Sequence, residues 1–459
     1  SSGMPESRDR HVRAGLAVAT QDIGLMSVGT TAHNAEGRRT DRLLRVLSGA
    51  GGHPMVRPGS GFWHDWEPAA VLAKTEDVAR QIAYLGADVR TVAEIENHPY
   101  SPFGKSLRVL SLEMALNALA GVQDLSLNLF SSTMPFGEGE TPASLDRYAA
   151  FLREQRPFLQ ALVQARAGKR RVGVGVEARE DVARQMRLAG RSLLAWVEPR
   201  PWELALARLG LPVGQPYDSP HLLTRDVVFT DRYALGSGFQ DGVVLTPGAL
   251  EGLLAQGWGD RLGVAGVHAA PPDANEVLTA DEFNGTGAGT CLQVRHYSGL
   301  LHPHMCDFAP GTAVRALSRW VDLQQRIQGP ATAAWELVDG ARVGFIPFEI
   351  ETMTPALLHP ARREQWAAML AWVARAPLPV RVVEGVNVAP QYFLAPDGVE
   401  ILVALANLSA DEQRVRIAGP LLDRHCAVER LALSGQWEAV ADATDADVAP
   451  WSVAVLRLR

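Results

Sequence analysis

Glu94 and Glu96 stand two residues apart at the end of a short apolar run, within the stretch VRTVAEIENHPYSPFGK that spans 89–105. Two residues along a β-strand bring a side chain back to the same face, so this spacing predicts two carboxylates aimed into one cavity. Val89, Thr91 and Val92 favour a strand and Pro99 forbids its continuation, which puts both acids at the strand's C-terminal end. Carboxylates are costly to bury, and a pair held in unlike surroundings can divide the roles of nucleophile and proton donor. The competing reading is a pair of solvated or salt-bridged loop acids.

Other residues with chemical capacity follow neighbouring apolar runs. Arg57, in HPMVRPGSGFW, is placed to hydrogen-bond a substrate hydroxyl or carboxylate, or to bridge to Glu94 or Glu96. Trp63 and Trp66 offer a platform for a sugar ring or serve as core. His33, beside Asn34, can touch substrate or cap a local turn, and Lys105 reads as a solvated charge. Glycine clusters at 49–52 and 59–61 lack the order that cradles phosphates, so no dinucleotide or ATP cofactor is expected. His302, His304 and Cys306 have ligand-like spacing but no visible fourth ligand, and they read as a structural loop rather than a metal site.

The elements that must position these groups alternate. Ser7 is a plausible N-cap for a helix reaching about Ala19, and Ile23 to Val28 is an apolar run of strand length. A helix over 35–47 follows, then a short strand within 53–63, a helix over 68–85 and the acid-bearing strand at 89–97. A helix over 106–119, a strand over 125–130 and a long helix over 143–165 complete the series. Four strands, each followed by a helix, predict βα units on a parallel sheet, with polar residues gathered in the turns after the strands.

Read in register, IENHPYSPFGKS, a helix, GVQD and then LSLNLF resemble the last two βα units of clan A glycoside hydrolases, and family 42 β-galactosidases most of all. The resemblance implies an α/β fold, with residues 1–168 forming strands five to eight of a (β/α)8 barrel. It implies Glu96 as the nucleophile, with Asn97 where that family usually has Gln and Pro99 at its proline. Tyr100 stands where the family has Gly. Glu94 becomes an orienting or substrate-side partner. A retaining glycosidase needs a second carboxyl about 5 to 5.5 Å from the nucleophile. In this clan that acid/base lies on the fourth strand, outside this sequence, so the chain alone is expected to be inactive: either the missing half arrives as another chain, or the gene is truncated, or copies pair edge to edge.

Residues 169–376 begin a new alternating pattern. Runs at 171–177, 192–197, 242–245, 261–267 and 342–348 read as strands, with helices at 201–209, 247–256 and 360–374. This region resembles the flavodoxin-like, amidotransferase-like middle domain of family 42. Amidotransferase chemistry itself would need a cysteine on a strand-to-helix elbow, whereas Cys291 enters an apparent strand in GTCLQV. From 377 to 459 the pattern turns to alternating β, with runs at 380–383, 391–394, 400–405, 413–417, 427–431 and 451–458, and predicts a small β-sandwich.

Composition bounds the partners. The 459 residues are 47% apolar and 21% charged, with a net charge of −7, which describes a globular chain without the basic stripe of a nucleic-acid binder. No apolar run approaches the ~18 residues of a membrane span, and the residues after Met4 are charged rather than signal-like. Cys291, Cys306 and Cys426 are the only cysteines and form no disulfide pattern, so a cytoplasmic location is expected. The expected activity is that of a retaining glycosidase on β-linked oligosaccharides, in a homotrimer as the resemblance implies. The alternative is a non-catalytic carbohydrate-binding or assembly protein derived from such an enzyme.

Overall fold

The computed structural model describes residues 25–28, 55–58, 70–85, 90–97, 104–129, 142–176, 199–214, 221–223, 242–292, 294, 301–350, 355–420, 422, 427–441 and 444–459. The chain divides into two compact units. One holds Ser1–Ala167 with Leu431–Glu438 and Trp451–Val453, and the other holds Gly168–Arg430 with Ala439–Pro450 and Ala454–Arg459.

In the first unit, β1 (Leu25–Val28), β2 (Met55–Pro58), β3 (Arg90–Glu96) and β4 (Asp124–Asn128) lie side by side in sequence order and run parallel. Helix α1 (Val71–Leu85) connects β2 to β3, α2 (Leu107–Ala120) connects β3 to β4, and α3 (Pro142–Arg166) follows β4. The residues of β3 split by face. Ala93 and Ile95 are fully buried, packed with Val78 of α1 and with Leu110 and Met114 of α2. Sealing Ile95 in this way contributes about 1.5–3 kcal/mol. The other face carries Glu94 and Glu96, both half-buried.

Helix α2 is apolar almost all round, with Val109, Leu110, Leu112, Met114, Leu116 and Leu119 buried, as befits an element covered on several sides. The Ser106 hydroxyl accepts from the Val109 amide 3.3 Å away and caps its start. Gly121 ends it at φ +101°, with its amide donating to the Ala118 carbonyl. An added Cβ there meets nothing nearer than 3.7 Å, so the cost of a side chain is backbone strain rather than a clash. Gly121→Ala is therefore expected to lower stability by about 1–2 kcal/mol, read as a shift in the urea midpoint at unchanged slope.

The second unit contains a six-stranded sheet in the order 314–316, 333–336, 342–345, 243–245, 221–223, 175–176. Its last four strands are parallel and its first two antiparallel, and Val243, Leu245, Val343, Phe345 and Trp335 form its core. The stretch read as a strand from 261 is the helix Gly259–Leu262 closed by Gly263 at φ +65°, and the strand starts at Val264. Between 264 and 350 most strands pair antiparallel, including Val264–Ala269 with Leu301–Phe308 and Asn275–Leu278 with Ser318–Val321, where the sequence suggested continued alternation. The residues 302–306, read as a loop, lie in one of these strands.

Towards the C-terminus, Val388–Leu394 and Ile401–Asn407 pair antiparallel along their whole length. Arg381–Glu384, Gln413–Ala418 and Asp445–Val448 make a separate antiparallel sheet. The two sheets share a core of Val382, Tyr392, Val403, Val415 and Ile417. Arg170–Val172 belongs here too, pairing with Tyr392–Leu394 rather than with the strands that follow it in sequence.

Candidate functional site

The Val92, Glu94, Glu96 face of β3 is where the chain gathers polar groups at the C-terminal end of a parallel strand. In register with β4, Glu94 sits beside the exposed Ser126 and Glu96 beside Asn128. Asn97 follows, 2% exposed, its Nδ2 3.4 Å from the Leu129 carbonyl and its Oδ1 without a hydrogen-bond partner among the described residues. Two acids and an amide thus lie within four residues of a strand whose opposite face is sealed by α1 and α2.

Beneath this strand end lies a buried ion cluster. Glu113 of α2 is 0% exposed, and its two carboxylate oxygens are taken by different ammonium groups. Lys74 of α1 donates to Oε1 at 2.5 Å and Lys105 donates to Oε2. Each ammonium also donates to the strand, Lys74 to the Glu94 carbonyl at 2.9 Å and Lys105 to the Glu96 carbonyl at 2.8 Å. Lys105 is therefore no solvated charge: it is 5% exposed and held inside the fold, because Glu113 and a main-chain oxygen replace its water. Glu113 and Lys74 escaped the sequence reading altogether. The available signal was a single carboxylate in the otherwise apolar run LSLEMALNALA, which a helix buried all round tolerates only if it is paired.

Of the other predicted site residues, Arg57 lies on β2, with its side chain outside the described residues, and His33, Trp63 and Trp66 also fall outside them. Among the described residues no group of three His, Cys, Asp or Glu is arranged to hold a metal ion, and no helix is long and apolar enough to cross a membrane. Cys306 is 4% exposed in an apolar cluster with Val264 and Phe345, and burial pushes its thiol up to about 12. Cys291 is exposed at the start of a two-residue strand. Iodoacetamide at pH 8 is accordingly expected to alkylate Cys291 and spare Cys306 until the protein is unfolded, as peptide mass spectrometry would report.

No protein-family model matches the chain, and no curated protein sequence matches it. Solved structures do. A GH42 β-galactosidase from G. stearothermophilus superposes with a TM-score of 0.57 at 12% identity, over 92% of this chain and 61% of its own. The β-galactosidase of Bacillus circulans sp. alkalophilus gives 0.51 at 12% identity, over 92% of this chain and 65% of its own. The α-L-fucosidase isoenzyme 2 of Paenibacillus thiaminolyticus gives 0.55 at 10% identity, over 91% and 66%. The chain shares the fold of these glycosidases. It spans 61% and 65% of the two β-galactosidases' lengths, and the likeness is one of fold, a mixed α/β architecture.

Proposed function

We propose that this chain is the nucleophile-bearing part of a retaining glycoside hydrolase acting on β-linked galactosides or related oligosaccharides. In this reading β1 to β4 are strands five to eight of a (β/α)8 barrel covering residues 1–168. A flavodoxin-like domain follows over 169–376 and a β-sandwich over 377–459. Glu96 is the nucleophile and Glu94 its neighbour on the substrate side. Asn97, Arg57, Trp63 and His33 supply hydrogen bonds and a stacking surface. No cofactor is needed, since two carboxyls suffice for double displacement.

The observation that carries the reading is the placement of Glu94 and Glu96 on one face at the C-terminal end of a parallel strand. The ends of such strands are where βα folds gather reacting groups. The GH42-type fold of the surrounding chain adds to it. In the reaction Glu96 attacks the anomeric carbon while a second carboxyl protonates the departing oxygen. Water activated by that same carboxyl then releases the sugar. That second carboxyl comes from βα units outside this sequence, in the remainder of a longer chain or in another chain, and the assembly is a cytoplasmic homotrimer.

The test is to co-express the chain with the segment encoded immediately upstream and add a fluorinated aryl β-galactoside, which traps a glycosyl-enzyme. A sugar adduct on Glu96 supports the proposal and an adduct on Glu94 reassigns the nucleophile. Binding of oligosaccharide with no adduct anywhere favours a carbohydrate-binding protein descended from such an enzyme.

A further inference from the structure

We infer that the buried ion pair of Arg362 and Glu276, in the second unit, is a hydration site: about two ordered water molecules are bound between the guanidinium edge, Glu276 Oε2 and the amide oxygen of Gln365. This goes beyond the glycosidase reading and does not depend on it.

The helix Pro360–Ala374 carries Arg362, Gln365 and Trp366 at i, i+3 and i+4, which puts them on one face, and each is 0% exposed. Facing them are Phe348, Glu276 and the Leu317 carbonyl. Among the described residues, none of the three guanidinium nitrogens has a hydrogen-bond partner, nor have Glu276 Oε2, Gln365 Oε1 and Trp366 Nε1. The next residue shows what direct satisfaction looks like in the same helix: Arg363 donates to the Gly385 and Val383 carbonyls, both at 2.8 Å. Arg362 Nη1 lies 2.7 Å from Glu276 Oε2 without the alignment of a hydrogen bond. The rings help from the side only. The guanidinium centre is 4.9 Å from the Phe348 centroid and 5.4 Å from that of Trp366, against 3.9 Å for Arg315 over Phe283. Its five N–H groups point out of the edge of the plane and need acceptors there. Buried polar groups that the protein leaves unpaired are bonded to ordered water.

Asn284 fixes which way the Gln365 amide points. Asn284 Nδ2 donates to the Thr279 and Leu317 carbonyls at 2.9 and 2.7 Å, so Asn284 Oδ1 is the acceptor for Gln365 Nε2, 2.9 Å away. Gln365 Oε1 is therefore an acceptor in want of a donor, and the consecutive residues Leu317 and Ser318 tie it to Glu276, since Gln365 Nε2 also donates to the Leu317 carbonyl and the Ser318 hydroxyl to Glu276 Oε1. The unpaired set thus has N–H donors on one side and two oxygens on the other. An anion would satisfy the donors but lie against the Glu276 carboxylate, which already balances the guanidinium, and a cation would meet the guanidinium itself. Water accepts from the one side and donates to the other at no net charge, and about two molecules balance the count.

The test uses the full chain, with water and sodium bromide as probes. In protein with isotope-labelled arginines, the Arg362 Nε–H signal, assigned by its loss in Arg362→Lys, is expected to show a nuclear Overhauser effect to water with the sign of a molecule held longer than the protein takes to tumble. Crystals grown in sodium bromide are expected to show water within hydrogen-bond distance of the guanidinium and of Glu276 Oε2 or Gln365 Oε1, with no anomalous bromide peak there. In Glu276→Leu combined with Arg362→Met, long-lived water counted by relaxation dispersion of the water oxygen falls by about two molecules. Arg326→Met, at a side chain 71% exposed, leaves that count unchanged. A bromide peak at the guanidinium makes this an anion site and overturns the inference. Guanidinium nitrogens bonded directly to protein oxygens, with no effect to water, overturn it as well. If the double variant does not fold, the signal and the density in the unmodified chain decide by themselves.

Discussion

On the proposed reading, with the chain co-expressed with its upstream segment, Glu96→Gln is expected to lower turnover of an aryl β-galactoside by at least about a thousandfold, the scale on which loss of a covalent nucleophile is felt. The amide keeps the volume and half the hydrogen bonding of the acid, so the loss reports the missing charge and not a disturbed fold. Glu94→Gln, two residues earlier on the same face, is expected on the same reading to lose about ten- to hundredfold, because the role proposed for it is to orient or contact substrate without forming the bond. A third variant separates chemistry from shape. Glu96→Ala empties the space, and a small anion such as azide then restores turnover by attacking in place of the carboxylate, giving a glycosyl azide of inverted configuration. Restoration in Glu94→Ala and none in Glu96→Ala would reverse the two roles. Steady-state kinetics with product analysis distinguishes these outcomes.

What the sequence disclosed and what it hid differ by the range over which each feature is written. The strand at β3 follows from the alternation of Ala93 and Ile95 against Glu94 and Glu96, a pattern complete within four residues, and its bounds Arg90–Glu96 sit one residue inside those expected. Helix α2 announces itself through Ser106 at one end and Gly121 at the other, both local signals. The ion cluster has no such signature. Lys74, Lys105 and Glu113 come from α1, a loop and α2, and a lysine next to a serine reads as solvated until a carboxylate from another element is known to meet it. The same limit hid the pairing of Arg170–Val172 with Tyr392–Leu394, since the partner of an antiparallel strand is set by tertiary packing and not by its own residues. Cys306 sat in a run with two histidines and a proline, which local reading takes for a loop. Its neighbours Val264 and Phe345, distant in sequence, make it part of a core.

Arg362→Met is expected to destabilise the second unit by about 3–5 kcal/mol, the cost of leaving a buried charge uncompensated. Arg362 and Glu276 are both 0% exposed, and Nη1 lies 2.7 Å from Oε2. Neither atom makes a well-aligned hydrogen bond, so the contact is mainly charge on charge. Glu276 Oε1 accepts from the hydroxyls of Ser318, at 2.5 Å, and Thr332, at 2.8 Å, and loss of the guanidinium leaves those two donors as its remaining support. The guanidinium in turn lies over Phe348 and Trp366, 4.9 and 5.4 Å from the ring centroids, which compensates nitrogens that have no acceptor. Two further variants isolate these terms in urea unfolding at pH 7. Glu276→Gln combined with Arg362→Met removes both charges while the amide oxygen still serves Ser318 and Thr332, and is expected to recover about 2 kcal/mol of the loss. Arg362→Lys keeps the charge but not the planar group that lies over the two rings, and is expected to fall between the wild type and Arg362→Met. A lysine variant as stable as the wild type would show that the rings contribute nothing. A double variant no better than Arg362→Met would show that the loss comes from the cavity and not from the stranded carboxylate.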